Sequence, residues 1–493
     1  MRFWTVVVAG LAANGPSPYM GPAMLLVLFQ RLQQFAQANL AALRQKGSFA
    51  QNLAVTFSGS AAVTAIGLLL TPVMSRIYPP ESYGGFAVFS SLVNNVALAS
   101  TLTYTWAIVL PKNEKRFLAL VQLSILLTLG TLVLLVAGVA LLGEPLERWL
   151  HAEALHPWRY AIPVVATLFN LNTSLNNWYL RRKEFRKRAG IEVATSLVGR
   201  GITIGYGLQF QGALGGLIIG ELFNKVTAFI SLLRGGLHRE MGALYRTFSW
   251  ARIRSVACEY RDYPLYVLPA NYLGVVAAQL PIFMLTSGFG ATMVGLYSFS
   301  VSLMELPVAL LGNSLAPVFQ QKAVETHHEH PERLADLCLQ LYTKLFYLGL
   351  LPFGIVTVFG DWLFKFAFGA RWEMAGLFTS YLGYYYVFRL TGIALSPVLA
   401  LLKRQRVALL STGALLAVRF AGLAVGVYLH DVRLAMLLFG LGSVAVALLS
   451  DLYLLKLLGV GVAKVALRTV GLMAATLLLL KLLRLGLAAL LGW

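Results

Sequence analysis

Long apolar runs alternate with short polar segments from about residue 50 to the end of the chain. The runs fall at 50–75, 84–110, 117–142, 158–180, 190–210, 213–234, 264–287, 292–317, 342–360, 374–402, 407–429 and 432–455. About 20 residues of α-helix cross the roughly 30 Å hydrocarbon core of a bilayer, and most of these runs reach that length. The pattern predicts an all-α polytopic membrane protein with about twelve transmembrane helices.

A further apolar run covers residues 466–493 and is interrupted by Lys481 and Arg484. Its length fits a thirteenth span, whereas its two cations fit a helix that lies at the membrane interface. The sequence leaves both alternatives open, so a total of 13 or 14 helices remains compatible with it.

Lysine and arginine are distributed unevenly among the segments that connect the predicted helices. The even-numbered connections carry 24 of these residues and the odd-numbered connections carry 6. Cytoplasmic loops of membrane proteins are enriched in both residue types. We therefore expect both ends of the twelve-helix unit, and the segments 181–188 and 235–262, to lie in the cytoplasm.

The longest connection inside the helical unit, residues 235–262, divides it into two groups of six helices. Apolar residues in this connection have the spacing of an amphipathic helix on the inner membrane surface: Leu237, Met241, Leu244, Tyr245 and Phe248. Two groups of six with a long middle link predict two lobes around a central cavity. The expected parts are an N-lobe at 47–234, the linker at 235–262, a C-lobe at 263–455 and a C-terminal apolar segment at 456–493.

Residues 1–46 precede the first predicted span. Arg2, the apolar run 3–13 and the following Asn-Gly-Pro at 14–16 resemble a short signal peptide. Cleavage there would place the following chain outside and invert every later loop against the charge distribution. We therefore interpret this segment as an N-terminal extension that the helical unit does not require.

Composition and motifs exclude several classes of protein. Of 493 residues, 58% are apolar and 12% are charged, which is too little charge to cover a soluble protein of this size. The net charge of +20 lies mainly in short loops, so it indicates membrane orientation and anionic lipid rather than nucleic acid. The cluster 327–330, His-His-Glu-His, is interpreted as a solvated turn. Without a nucleophile elbow, phosphate-binding loop or paired-cysteine motif, we expect no enzyme, no metal and no cofactor.

Two stretches of similar sequence lie 211 positions apart. Residues 84–92, GGFAVFSSL, match residues 295–303, GLYSFSVSL, and each stretch follows an apolar run. Together with the arrangement of six plus six helices, the match predicts an internal repeat.

The first of these stretches also carries a family resemblance. The pattern R-x-Y-x-P-E-x-Y-G-x-F is followed by an apolar helix and by A-I-V-L-P at 107–111. Its residues are Arg76, Tyr78, Pro80, Glu81, Tyr83, Gly84 and Phe86. The pattern resembles the start of bacterial polysaccharide and O-antigen flippases, which are polysaccharide transporters of the multidrug/oligosaccharidyl-lipid/polysaccharide exporter superfamily. The helix layout over about 49–455 agrees with that family.

The resemblance implies a MATE-like fold and a flippase of the cytoplasmic (inner) membrane. The implied substrate is an oligosaccharide linked to polyprenyl pyrophosphate, used for lipopolysaccharide, O-antigen or exopolysaccharide. Other membrane proteins of polysaccharide assembly are implied partners, and nucleic acid is not. Because the pyrophosphate and sugars cannot cross hydrocarbon unaided, the expected mechanism is alternating access through a polar cavity.

Six charged residues stand out inside the predicted helices: Arg200, Glu221, Lys225, Glu305, Arg389 and Arg419. A charge in hydrocarbon is costly, so such residues usually face a cavity or an opposite charge. No Asp or Glu lies within four positions of any of the three arginines. We predict that the four cations form a cavity that binds pyrophosphate, with the two glutamates as candidates for ion coupling. The alternative is a structural role, with Glu221 and Lys225 paired one helical turn apart.

Uncharged polar residues predict that the interior is wet. Asn170, Ser174 and Asn177 share one face of the fourth helix, and Tyr385 lies one turn before Arg389. We expect Asn177 and Tyr385 to line the cavity, where the tyrosine ring would contact sugar. The alternative for the tyrosine is anchoring at the membrane interface.

Two other functions compete with the flippase. A multidrug cation antiporter of the same superfamily needs acidic residues deep in its cavity. The first helix has none over 49–71, and the intramembrane charges are four positive and two negative. A membrane polysaccharide polymerase or ligase needs a large external loop, and the connections at 143–157 and 361–373 are short. The sequence favours the flippase.

Overall fold

The computed structural model of the protein describes residues 49–149, 152–236 and 241–491. The predicted extension, residues 1–46, lies outside these ranges. The long helices of the first half are α1 (Phe49–Ile77), α2 (Pro80–Ser100), α3 (Glu114–Trp149), α4 (Ala161–Arg181), α5 (Phe185–Gln209) and α6 (Leu214–Arg234).

The second half begins with a helical stretch, Leu268–Glu329, that is interrupted at Gly290. The φ of 82° and ψ of 175° at this glycine are not helical, and they divide the stretch into α7 (268–289) and α8 (291–329). The following helices are α9 (Leu334–Phe368), α10 (Glu373–Leu401), α11 (Gln405–Tyr428), α12 (Val432–Leu457) and α13 (Val462–Leu491). We call α1–α6 the N-lobe and α7–α12 the C-lobe.

Most of these helices are long and apolar enough to span a membrane. Within the described ranges, nine helical stretches are long and apolar enough to cross a membrane, and one of them is Val462–Ala489 in α13. Helices α2, α4 and α5 have 21, 21 and 25 residues, but polar side chains lower their hydropathy. The all-α polytopic fold predicted from the apolar runs is confirmed, and the C-terminal run forms one continuous helix of 30 residues.

Helix α2 is shorter than the sequence pattern predicts. The apolar run 84–110 predicted one helix, but α2 ends at Ser100, and a short helix follows at Tyr104–Ala107. Between them Thr103 adopts a left-handed φ of 60°, which is uncommon for a β-branched residue. The Thr103 hydroxyl donates to the Tyr263 carbonyl oxygen (3.1 Å), and the Asn177 amide donates to the Thr105 carbonyl oxygen (2.8 Å). These distant partners stabilise the break.

The two stretches that predict a repeat cross each other in the structure. A Cβ atom at Gly84 would lie 1.8 Å from the Ala291 carbonyl oxygen, and a Cβ atom at Gly295 would lie 1.8 Å from the Pro80 carbonyl oxygen. Gly84 and Gly295 are 211 positions apart, and so are their contact partners Pro80 and Ala291. The Thr292 hydroxyl donates to Glu81 (2.8 Å), and these two residues are also 211 positions apart. Helices α2 and α8 therefore meet backbone to backbone around a local two-fold axis.

Aromatic side chains close the interface between the lobes near this crossing. The Tyr83 ring packs edge-on against Phe299 and Trp372, with ring centroids 5.4 Å and 5.1 Å apart. The fully buried Trp372 also donates its indole N–H to the Ser75 carbonyl oxygen of α1 (2.8 Å). We call the aromatic group Tyr83, Phe299 and Trp372 the seal.

The linker forms two short helices, Met241–Arg246 and Trp250–Glu259, in its described part. Ile253 and Val256 are buried in a cluster shared with α3 and α4, whereas Tyr245 is 87% exposed. The linker thus has one side packed on the N-lobe and one exposed side.

Candidate functional site

Three cavities have polar side chains among their lining residues, and the first is in the C-lobe. This C-lobe cavity has a volume of about 280 Å³ and is lined by residues of α7, α8, α10, α11 and α12. Its walls include Glu305, Tyr385, Arg389 and Arg419. The structure therefore brings together four of the eight residues singled out in the sequence.

Arg419 is held between two aromatic rings. Its guanidinium carbon lies 4.7 Å from the ring centroid of Tyr385 on α10 and 4.7 Å from that of Phe439 on α12. Its Nε donates to the Ser443 hydroxyl at 2.9 Å. No acidic residue in the described ranges forms an ion pair with it, so the remaining N–H groups are available as a fork of donors that fits a phosphate.

Arg389 has an acidic partner on another helix. Its Nε lies 3.3 Å from Glu305 Oε1 on α8, and both side chains are more than one third exposed. Ion pairs with this exposure contribute only about 0–1 kcal/mol to stability. Because Glu305 compensates one of the two arginines, the charged residues that line this cavity carry an excess of one positive charge.

The N-lobe cavity, of about 320 Å³, lies among α1, α4, α5 and α6. Lys225 lines it and forms an ion pair with Glu221 one turn away (3.0 Å). This is the local pairing that the sequence offered as the structural alternative. Arg188 and Glu192 are the other charged residues in its walls, next to a group of asparagines.

A middle cavity of about 360 Å³ lies next to the other two and shares wall residues with each of them. It shares Phe169 and Thr173 with the N-lobe cavity, and Ala278 with the C-lobe cavity. Gln279 of α7 projects beside it and accepts a hydrogen bond from the Ser91 hydroxyl of α2 (2.6 Å). The three cavities thus lie in a row from lobe to lobe, and we call this row the track.

Two of the predicted cavity residues lie elsewhere. Arg200 lines none of the three cavities; its guanidinium lies against α1, with Nη1 3.9 Å from Met74 Sδ and Nε 3.5 Å from the Ser196 hydroxyl. Asn177 is used in the break after α2, through its bond to the Thr105 carbonyl oxygen. Both side chains make contacts that hold helices together.

Sequence reasoning missed several polar residues of this region. Asp451 of α12 is 6% exposed, accepts a hydrogen bond from the Thr391 hydroxyl (2.5 Å) and forms no ion pair in the described ranges. It lies inside the predicted run 432–455 but was not among the six charged residues singled out from the sequence. Asn172 and Asn176 were also overlooked, because the sequence analysis selected Asn170 and Asn177 on the same helix. The two missed residues are four positions apart, so helical spacing places them on one face of α4.

Apolar helices in two lobes, with cavities lined by polar and charged side chains, define a polytopic membrane protein of the transporter type. A model of the polysaccharide biosynthesis protein family matches residues 73–376. The chain therefore belongs to the polysaccharide biosynthesis protein family, which confirms the resemblance carried by residues 76–111. No curated protein matches this chain.

Solved structures share the fold at low sequence identity. An inward-facing multidrug resistance MATE family transporter of the MOP superfamily is 15% identical, with 87% of this chain and 99% of that chain covered and a TM-score of 0.60. The lipid II flippase MurJ in an inward closed conformation is 12% identical, with 86% and 92% covered and a TM-score of 0.62. An outward-facing multidrug resistance MATE family transporter of the MOP superfamily is 14% identical, with 83% of this chain and 95% of that chain covered and a TM-score of 0.50. The fold is therefore MATE-like.

Proposed function

We propose that this protein is a flippase that moves oligosaccharide units linked to polyprenyl pyrophosphate across the cytoplasmic membrane. The units would serve the synthesis of a cell-surface polysaccharide such as lipopolysaccharide, O-antigen or exopolysaccharide. Membership of the polysaccharide biosynthesis family and the fold shared with a lipid II flippase support this substrate class. The proposed activity is transport and involves no covalent chemistry.

The observation that carries the proposal is the geometry of Arg419. Arg419 has no acidic partner among the described residues and lies between two rings in the wall of the C-lobe cavity, so it is prepared to bind an anion. Its stacked guanidinium loses little freedom when a phosphate binds, because the rings and Ser443 already fix its plane. Arg389 lies in the wall of the same cavity and supplies a second cation, which Glu305 partly neutralises.

The arrangement of the lobes supports alternating access. In the predicted orientation the seal lies at the external side, because the connection between α1 and α2 is odd-numbered and carries a single cation, Arg76. Similarity is also greater to the inward-facing transporter (TM-score 0.60) than to the outward-facing one (0.50). We therefore propose that this conformation receives substrate from the cytoplasm.

Coupling to an ion gradient requires a group that changes charge. Glu221 and Glu305 remain our candidates, although each is paired with a cation, Lys225 or Arg389. Breaking either pair by protonation would raise the positive charge beside a cavity, and substrate release would restore the pair. Asp451 is a third carboxyl group inside the C-lobe.

A multidrug cation antiporter is the competing function on the same fold. The charges that line the C-lobe cavity, one acid against two arginines, oppose a cationic ligand. In the N-lobe cavity the charges balance, because Lys225 is paired with Glu221 and Arg188 is matched by Glu192. The C-lobe cavity therefore favours the anionic substrate.

Deletion of the gene in its host tests the proposal. We expect the deletion strain to lose a surface polysaccharide and to accumulate the lipid-linked oligosaccharide, with both effects reversed by the parent gene. The Arg419→Ala variant should fail to reverse them at equal membrane abundance. Unchanged surface polysaccharide without accumulated intermediate would overturn the proposed function.

A further inference from the structure

Three asparagine side chains line the N-lobe cavity and have the same orientation. Asn172 Nδ2 donates to the Lys225 carbonyl oxygen (2.9 Å), and Asn176 Nδ2 donates to the Asn172 carbonyl oxygen (2.9 Å). Asn224 Nδ2 donates to the Thr195 carbonyl oxygen (3.0 Å). A backbone carbonyl oxygen only accepts hydrogen bonds, so each amide must turn its NH₂ group toward the backbone.

This orientation leaves two side-chain carbonyl oxygens, those of Asn176 and Asn224, as accessible acceptors around one cavity. Asn172 Oδ1 also accepts no hydrogen bond from the described residues, but it is buried and closed to a ligand. A carbonyl oxygen that faces a cavity needs a hydrogen-bond donor from water or from a ligand. The cavity is therefore suited to a ligand rich in hydrogen-bond donors.

The charges around the cavity identify which donors fit. Lys225 is paired with Glu221, and Arg188 and Glu192 balance each other in the walls, so the described residues of the cavity have no excess of acid to bind an ammonium group or a metal cation. Hydroxyl and acetamido N–H groups donate hydrogen bonds without carrying charge. Thr173 and Ser196, also in the walls, add hydroxyl groups that both donate and accept, as sugar hydroxyls require.

The position of the cavity matches the shape of the proposed substrate. The middle cavity shares Phe169 and Thr173 with the N-lobe cavity, and it shares Ala278 with the C-lobe cavity. A pyrophosphate bound at Arg419 would have its sugars directed along this track toward the asparagines. The volume of about 320 Å³ is at the lower end of the range for small-molecule sites.

We infer that the N-lobe cavity is a binding subsite for the sugars of the lipid-linked oligosaccharide, with Asn176 and Asn224 as hydrogen-bond acceptors. The inference rests on the proposed function and divides the substrate between the lobes. The C-lobe binds the charge common to all such lipids, and the N-lobe contacts the part that differs among glycans.

Asn176 offers the sharpest test, because among the described residues its side chain donates only to the Asn172 carbonyl oxygen, one turn earlier in α4, and so holds no other helix. Asn271 is a matched control: its Nδ2 donates to the Val267 carbonyl oxygen one turn back (2.7 Å), and it lines none of the three cavities. Two variants, Asn176→Ala and the bulkier Asn176→Leu, separate loss of the acceptor from loss of volume. Membrane abundance is compared for all variants.

The experiment measures binding of two lipids to the purified full chain by native mass spectrometry. One lipid is the oligosaccharide-linked polyprenyl pyrophosphate extracted from the deletion strain, and the other is undecaprenyl pyrophosphate, which has no sugar. We expect both Asn176 variants to weaken binding of the first lipid about fivefold, the effect of one hydrogen bond, and to leave the second unchanged. Arg419→Ala should weaken binding of both, and Asn271→Ala should change neither.

The outcomes separate the two proposals. If the Asn176 variants weaken both lipids equally, or neither, the sugar subsite is wrong while the flippase stands. If the parent chain binds neither lipid, the proposed function itself is overturned, and the subsite with it.

Discussion

Arg200 and Arg419 occupy equivalent positions in the two lobes, but their surroundings differ. Each lies eleven residues before the left-handed residue of its hairpin turn, Gln211 (φ 51°) and His430 (φ 53°), so both pairs are 219 positions apart. Arg419 stacks between two rings in the wall of the C-lobe cavity. Arg200 lies against α1, where its Nη1 contacts Met74. The repeat has kept the cation in both lobes and given it two environments.

This difference predicts unequal effects of removing the two arginines. Arg419→Ala should lower export at least tenfold, because a charge-assisted contact to an anion contributes about 1.5–3 kcal/mol. Arg419→Lys should restore export only in part, since an ammonium group cannot donate as a planar fork. Arg200→Ala should keep most of the export. Export is measured as surface polysaccharide at equal membrane abundance; equal loss in both alanine variants would contradict the prediction.

The pair formed by Glu305 and Arg389 can be tested by exchange. Each single change, Glu305→Gln or Arg389→Gln, should cost less than about 1 kcal/mol of stability, because both side chains are partly exposed. If Arg389 contributes to substrate binding, its replacement should lower export. The exchange of both residues (E305R with R389E) should preserve the ion pair, but export should stay low. Thermal unfolding of the purified protein gives the stability, and full export by the exchanged variant would show that the pair is only structural.

The crossing of α2 and α8 should tolerate no side chain larger than hydrogen. Gly84→Ala and Gly295→Ala each place a Cβ atom 1.8 Å from a backbone oxygen of the opposite lobe. The helices must separate to relieve the clash, and we expect several-fold less folded protein in each case. Gly138→Ala in α3 is the control, since nothing lies within 4 Å of its added Cβ atom. The measurement is the yield of monodisperse protein after extraction from the membrane. Equal yields for all three variants would contradict the close packing of α2 against α8.

Orientation can be tested without adding a residue. Cys258 is exposed in the linker helix Trp250–Glu259, whereas Cys338 is buried in α9. If the linker is cytoplasmic, a membrane-impermeant maleimide should label no cysteine in intact cells and should label Cys258 after permeabilisation. The Cys258→Ser variant should then remain unlabelled. Labelling of Cys258 in intact cells would invert the proposed topology.

The length of apolar runs was sufficient to predict the helices, because a bilayer requires about 20 apolar residues whatever their order. The faces of the helices were harder to assign, because lipid and the protein interior are both apolar. The spacing of polar residues on α4 does not indicate which of its faces lines a cavity. Asn177 and Asn176 are neighbours in sequence, yet one stabilises the break after α2 and the other lines the N-lobe cavity. The break itself depends on Tyr263, which is 160 residues from Thr103. Such contacts follow from tertiary packing and have no local signal.

The hydrogen bond from Trp372 to the Ser75 carbonyl oxygen has a spectroscopic consequence. The indole is fully buried and belongs to the C-lobe, and its acceptor belongs to the N-lobe. Separation of the lobes at the seal must break this bond and bring water to the ring. Indole emission shifts to longer wavelength as its surroundings become more polar. The difference in fluorescence between the parent chain and a Trp372→Phe variant would therefore report, in real time and without an added dye, whether this end of the molecule is open.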